Sequence, residues 1–337
     1  MDGCRSFPPL EVLYSVPMAA VGQRGTVKEF AGFNSQEDAA KLRKAMKGLG
    51  TDEDAIIEVL AKRTIAQRQQ IKLDFKTAFG RDLISDLKSE LSGNLEMVVL
   101  GLMMTPDVYD AHELKKAIKG AGTDEGCLIE ILASRNNREI QQIVATYKKD
   151  FGKNLEDDIC GDTSHMFQRV LVSLATGNRD EGNHVDEQQA KKDAQILYDA
   201  GEKKWGTDEV AFLSILCTRN PAHLRKVFEE YKKIANKDIE ASIKGEMSGS
   251  LEDALLAIVK SMKSRPAYFA ERLYNSMKGL GTEDSTLIRV MVSRCEVDML
   301  DIREAFQRMY GKSLYSFIKG DCSGDYKKIL LQLCGGE

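Results

Sequence analysis

Apolar residues recur every three to four positions over most of the chain, and the strict alternation of strands is not evident. Only six prolines occur in 337 residues, so little interrupts a helical pattern. In its first copy the pattern predicts five helices, at roughly 36–47, 53–62, 66–79, 81–88 and 92–102. The second of these is apolar nearly all round, as a core helix would be. Its residues Ile56 to Arg63 are matched by Leu128 to Arg135, Phe212 to Arg219 and Leu287 to Arg294. Aromatic residues beside turns follow at Phe79-Gly80, Phe151-Gly152 and Tyr310-Gly311. The recurrence predicts an all-α fold of four five-helix repeats, at residues 35–103, 107–176, 190–262 and 266–334. Residues 177–189 are longer and more polar than the other joins and read as a surface linker dividing the body into two halves. Residues 1–24 match no repeat and read as a mobile tail that could hold a protein partner.

Between the first two helices of each repeat stands a short loop. The four copies are Met46-Lys47-Gly48-Leu49-Gly50-Thr51, Ile118-Lys119-Gly120-Ala121-Gly122-Thr123, Glu202-Lys203-Lys204-Trp205-Gly206-Thr207 and Met277-Lys278-Gly279-Leu280-Gly281-Thr282. Gly48 and Gly50 suit a helix end followed by a left-handed turn. Thr51, with Asp52, Glu53 and Asp54 behind it, suits an N-cap with acids at the positive end of the next helix. A single such loop is most often a C-cap joined to an N-cap and nothing more. Here each is followed, 40 residues after its last glycine, by an acid: Glu90, Asp162, Glu246 or Asp321. The acid is expected on a loop before the fifth helix.

That pairing points to a cation. Carbonyls of a glycine turn, for example Met46, Gly48 and Gly50, with a bidentate Glu90 would give about five hard oxygen ligands, which suits Ca²⁺ and leaves positions open. Such a site should be weak alone. A lipid phosphate could complete it, so calcium and lipid would each raise the affinity for the other. The third loop is longer by one residue and carries the single tryptophan. A lone tryptophan is usually core, but Trp205 is flanked by Lys203, Lys204 and Gly206, which favours an exposed ring that contacts a membrane interface.

The net charge of −4 argues against nucleic acid and against simple electrostatic attachment to anionic lipid. Seven widely spaced cysteines with no CxxC pair fit a reduced, cytoplasmic protein. Cys127 and Cys217 lie in apolar stretches and should be buried. No apolar run approaches the ~20 residues of a membrane span, and Pro8, Pro9 and Pro17 break the N-terminus as a signal peptide. Membrane contact would be peripheral.

The fourfold loop with its acid at a fixed offset resembles the annexin family, over about residues 24 to 334. The resemblance implies a curved disc with calcium loops on the convex face, and reversible, calcium-dependent binding to acidic phospholipid membranes. It implies roles in membrane aggregation, exocytosis or repair, and a monomer in solution that could assemble laterally on membranes. Residue by residue it implies Met46, Gly48, Gly50 and Glu90 as the first metal site and Ile118, Gly120, Gly122 and Asp162 as the second. It implies Gly201, Lys204, Gly206 and Glu246 as the third, and Met277, Gly279, Gly281 and Asp321 as the fourth. The second site departs from its sisters, because Ser164-His165 replaces the Ser-Gly that follows the other acids. The family's polar centre is matched by Asp110, Glu113, Glu130, Arg135 and Arg289, read as an ion-pair network that holds the halves together.

Two other classes compete with this reading. An enzyme is disfavoured: His112, His165, His184 and His223 are scattered, with no metal or triad spacing. A helical-repeat scaffold for proteins, with purely structural loops, is the alternative to calcium-dependent lipid binding.

Overall fold

The computed structural model describes residues 24–48, 50–120, 122–201 and 208–337. Among them are twenty helices and no strand. Repeat 1 holds α1 (Ser35–Ala45), α2 (Glu53–Leu60), α3 (Ile65–Phe79), α4 (Leu83–Glu90) and α5 (Gly93–Leu102). Repeat 2 holds α6 (Pro106–Ile118), α7 (Glu125–Ser134), α8 (Asn137–Phe151), α9 (Leu155–Asp162) and α10 (His165–Ala175). Repeat 3 holds α11 (Glu187–Ala200), α12 (Glu209–Leu216), α13 (Pro221–Ala235), α14 (Ile239–Glu246) and α15 (Gly249–Lys263). Repeat 4 holds α16 (Arg265–Met277), α17 (Asp284–Arg294), α18 (Met299–Tyr310), α19 (Leu314–Asp321) and α20 (Gly324–Cys334). No helix among the described residues is long and apolar enough to cross a membrane.

The helices form two compact units. Of the described residues, one takes in those up to Pro106 together with Phe269–Glu337, and the other those from Asp107 to Tyr268. Both use the same packing. In the first, α2 lies on α20, and α5 lies on α17 and α20. In the second, α7 lies on α15, and α10 lies on α12 and α15. The second and fifth helices of one repeat therefore meet their counterparts in another. This explains the apolar character of the second helix: every residue of α7 from Cys127 to Ser134 is buried. Cys127 and Cys217 are buried, as expected.

Residues 177–189 join two repeats inside one unit, so they do not divide the body into halves. They are also well fastened. Asn137 exchanges two side-chain bonds with the Arg179 backbone, at 2.7 and 3.0 Å. Arg179 Nη1 donates to the carbonyls of Leu216 and Arg219, at 2.7 and 2.8 Å. Asn220 Nδ2 donates to Asp180 Oδ2 and to the His184 carbonyl.

The arginine that closes each second helix has a buried acid to meet. Arg63 grips Asp38 with two bonds of 2.7 and 2.8 Å, and Arg135 grips Asp110 at 2.7 and 2.9 Å. Arg219 reaches Asp193 at 2.8 and 3.1 Å, where His223 Nε2 also lies 3.0 Å away. In repeat 4 the corresponding slot of the first helix is Phe269. Arg294 sits 4.8 Å over its ring and takes Asp298 instead, at 2.8 and 2.7 Å. Burial opposes the charge on Arg135, but Asp110 outweighs it and the pKa ends above its ordinary value. Burial likewise pushes the Asp193 carboxyl up, while bonds from Arg219, Gln189 and His223 hold it below the usual range. The pair Asp110–Arg135 is thus internal to repeat 2. It fastens α6 to the end of α7. Arg289, in the other unit, donates from Nη2 to Thr286 Oγ1 at 3.2 Å.

Asp110→Ala is expected to cost about 3–5 kcal/mol, because it removes the bidentate partner of a buried guanidinium. Glu58→Ala, which breaks only the exposed pair with Lys41, should change stability by less than about 0.5 kcal/mol. Urea unfolding measures both, and equal losses would count against the buried pair as an anchor.

Candidate functional site

Each loop begins where the first helix of its repeat ends and is closed by one backbone bond. The amide of Asp52 donates to the Ala45 carbonyl at 2.9 Å, Asp124 to Ala117 at 2.9 Å, Asp208 to Ala200 at 2.9 Å and Glu283 to Ser276 at 2.7 Å. The third span is longer by one residue, as the sequence indicates. In the first three repeats the next helix is capped by the side chain of the residue after the threonine, whereas Glu283 holds that position in the fourth without a side-chain cap bond. Asp52 accepts from the Ala55 amide, Asp124 from Cys127 and Asp208 from Ala211. The threonine is therefore not the N-cap that the sequence suggested. Both types can cap a helix, and the closing bond to the preceding helix selects the aspartate.

Within the loop, Gly48 and Gly50 have φ of 116° and 85°, and Gly279 and Gly281 repeat this at 107° and 89°. A Cβ on any of the four would touch nothing within 4 Å. The glycines are needed for backbone conformation, not for close packing, and the space beside them is open. Met46 and Met277 bury their side chains below the loop, which roots its base in the core.

The threonine hydroxyl, released from capping, reaches the distant acid. Thr51 Oγ1 donates to Glu90 Oε2 at 2.7 Å, Thr123 Oγ1 to Asp162 Oδ2 at 2.5 Å and Thr282 Oγ1 to Asp321 Oδ2 at 2.5 Å. Loop and acid, 39 residues apart, are thus brought together in three repeats. Sequence reasoning missed this role of the threonine, although its recurrence in all four loops was the available signal. Nor does the acid sit on a loop: Glu90, Asp162, Glu246 and Asp321 are the last residues of α4, α9, α14 and α19. A carboxylate there faces the negative end of its own helix, where a cation is favoured instead.

In the third repeat, Lys204, Trp205 and Gly206 lie outside the described residues. Gly201 is buried as the C-cap of α11, its amide bonded to the Leu197 carbonyl at 3.2 Å, and Glu246 is exposed.

The second site keeps its shape despite its changed sequence. Gly93, Gly249 and Gly324 open the fifth helices with φ of 60°, 62° and 59°, and His165 adopts φ of 54° in the same place. Its ring Nδ1 lies 2.8 Å from Ser164 Oγ. Histidine pays for this left-handed backbone in strain, but the acid stays where its sisters are. A groove of about 770 Å³ opens beside it, lined by Glu125, Asp162, His165, Arg169, Glu209 and Ser250 among others.

Among the described residues no three His, Cys, Asp or Glu side chains come together in a way that could hold a metal ion. A cation at these loops would have to take most of its ligands from the backbone. The open glycine turn with one carboxylate drawn to its edge is such a donor set, and its all-oxygen chemistry fits Ca²⁺.

Comparison with known proteins gives the family. The annexin family model matches four segments, residues 37–102, 109–174, 192–258 and 268–333. The chain belongs to the annexin family. Annexin A4 of Mus musculus is 69% identical over 313 residues, which span 93% of this chain and 98% of that protein. The solved structure of annexin III superposes with a TM-score of 0.92 at 50% identity, covering 94% of this chain and 98% of the other. A structure described as calcium-bound annexin (Sm)1 gives 0.81 at 34% identity, covering 93% of each chain. Annexins are known for calcium-dependent phospholipid binding and are generally binding proteins rather than enzymes.

His165→Gly should raise the stability of this annexin by about 0.5–1 kcal/mol, the released backbone strain less the added freedom of glycine in the unfolded chain. Gly93→Ala should lower it by about 1 kcal/mol for the converse reason. Thermal unfolding in chelator reads both, and no change in either variant would contradict the strain assigned to this position.

Proposed function

We propose that this annexin binds acidic phospholipid membranes when calcium rises, through its glycine loops and their paired acids. The observation that carries the reading is the threonine bond that draws Glu90, Asp162 and Asp321 to the loop edge. The first site comprises the carbonyls of Met46, Gly48 and Gly50 with Glu90. The others comprise Ile118, Gly120 and Gly122 with Asp162, Gly201, Lys204 and Gly206 with Glu246, and Met277, Gly279 and Gly281 with Asp321. A bound Ca²⁺ would supply the positive charge and the open coordination positions that a lipid phosphate needs. The chain brings its own apolar contact. Leu280, at the tip of the fourth loop, is fully exposed at 108% of its reference area, where a leucine side chain can leave water for the edge of a bilayer. Trp205 has the corresponding place in the third loop and is assigned the same role. With a net charge of −4 and no membrane-spanning helix among the described residues, attachment is peripheral and reversible, from a cytoplasmic pool. Aggregation of membranes, exocytosis or repair would be the cellular setting, with lateral assembly on the membrane and the N-terminal tail open to a protein partner.

The protein is expected to sediment with phosphatidylserine vesicles in calcium and to be released by a chelator. Glu90→Gln with Asp321→Asn should raise the calcium midpoint without unfolding the chain. Equal sedimentation in chelator, or an unchanged midpoint in the folded double variant, would count against these sites.

Leu280→Asp should weaken vesicle binding at a given calcium concentration by about tenfold, since it replaces buried apolar area with a charge that repels the anionic surface. Leu280→Gln, which removes the apolar contact without adding a charge beside the loop, should also weaken vesicle binding while leaving calcium binding without vesicles unchanged. Full vesicle affinity in this variant would remove Leu280 from the contact.

A further inference from the structure

We infer that Thr51, Thr123 and Thr282 are positioning residues that hold the metal-binding carboxylate in place before any ion arrives. The inference rests on the calcium reading of the loops but goes beyond its ligand set, because the threonine side chain is not among the ligands. Three observations carry it. The same bond occurs in three separate repeats, with donor and acceptor 39 residues apart each time. It is made both to a glutamate and to two aspartates, so it does not depend on side-chain length. At Thr51 and Thr123 the hydroxyl has no competing duty at the helix start, since Asp52 and Asp124 supply the cap there.

The need for such a bond follows from the helix ends. Glu90, Asp162 and Asp321 close their helices, and the dipole of that helix disfavours a carboxylate at this end. Left alone, the side chain would gain by turning outward into water. The threonine proton gives it a reason to stay at the loop. A carboxylate has about four lone-pair positions, so an oxygen that accepts from threonine keeps a lone pair for coordination. The bond and the ion are therefore compatible. Ordering the acid in advance removes that cost from the binding step, in the way outer partners of metal ligands usually act.

The experiment uses the full chain with Thr51, Thr123 and Thr282 all changed, to Val in one variant and to Ser in another. Calcium binding is titrated directly in the presence of phosphatidylserine vesicles, and thermal midpoints are taken in chelator and in calcium. Valine keeps the shape and removes the donor, so the half-saturating calcium of the altered sites should rise about tenfold. Serine keeps the donor and should stay within about threefold of the unaltered protein. The midpoint in chelator should be unchanged in both. Wild-type protein that takes up no calcium at all would overturn the site reading itself. Wild-type binding with an unchanged midpoint in the valine variant would overturn only the positioning role. So would a valine variant whose chelator midpoint falls while its gain in calcium is preserved, because the bond would then serve the fold. If the triple variant does not fold, the single change Thr282→Val beside Thr282→Ser decides on the same criteria at the fourth site.

Discussion

In three of the four repeats the loop depends on an ion pair at the opposite end of the helix pair that carries it. Asp38 lies near the start of α1, and Arg63 lies just past the end of α2. Their two bonds close one end of this helical hairpin, and the Asp52 to Ala45 backbone bond closes the other. A hairpin pinned at both ends leaves the glycine loop little choice of path. Taking two charges out of water is costly and is repaid only by good geometry, which the paired bonds supply. Repeat 4 is instructive. Phe269 removes the acid from its first helix, yet Arg294 remains buried and recruits Asp298 four residues on. The arginine is kept and the chain finds it another carboxylate.

Seen from this frame, the acid of each site is placed where its own helix least wants it. Ordinary helix ends carry Lys or Arg to match the dipole, yet four helices in this chain end on Glu or Asp. The fold tolerates the mismatch because the carboxylates are on the surface or only half-buried, so water screens most of the cost. A cation brought to the loop would turn the mismatch into an attraction. The acids are thus mildly unfavourable where they stand, and a cation beside them would relieve that cost.

Much of this was legible in the sequence. The helices of repeat 1 begin and end within about two residues of their expected places, the usual uncertainty of helix ends, because the 3.6-residue period is a local property. The glycine loops and the acid offset were legible because the repeat presents them four times. What was not legible is long-range or a choice between near equals. Thr51 and Asp52 are both capable caps, and only the closing bond to Ala45 decides between them. The partner of Arg135 is 25 residues away, and no local pattern ties it to Asp110. The polar stretch at 177–189 reads as a loose divider by composition, yet Arg179 and Asp180 pin it through backbone carbonyls and Asn220. Likewise, nothing local pairs the first repeat with the fourth.

That pairing has a consequence for the sites. Because second and fifth helices pack on one another within a unit, the helix start that follows one loop lies beside the helix start that follows another site's acid. In the first unit Lys328 of α20 bonds Asp54 of α2 at 2.7 Å and Asp325 at 2.8 Å. In the second, Ser250 of α15 donates to Glu125 of α7. Asp54 and Glu125 each stand a few residues after a loop threonine, and Lys328 and Ser250 a few residues after a site acid. The helix after the first loop therefore neighbours the helix after the fourth acid, and the helix after the second loop neighbours the helix after the third acid, each within one unit. This arrangement follows from which helices are apolar all round, and not from their order along the chain.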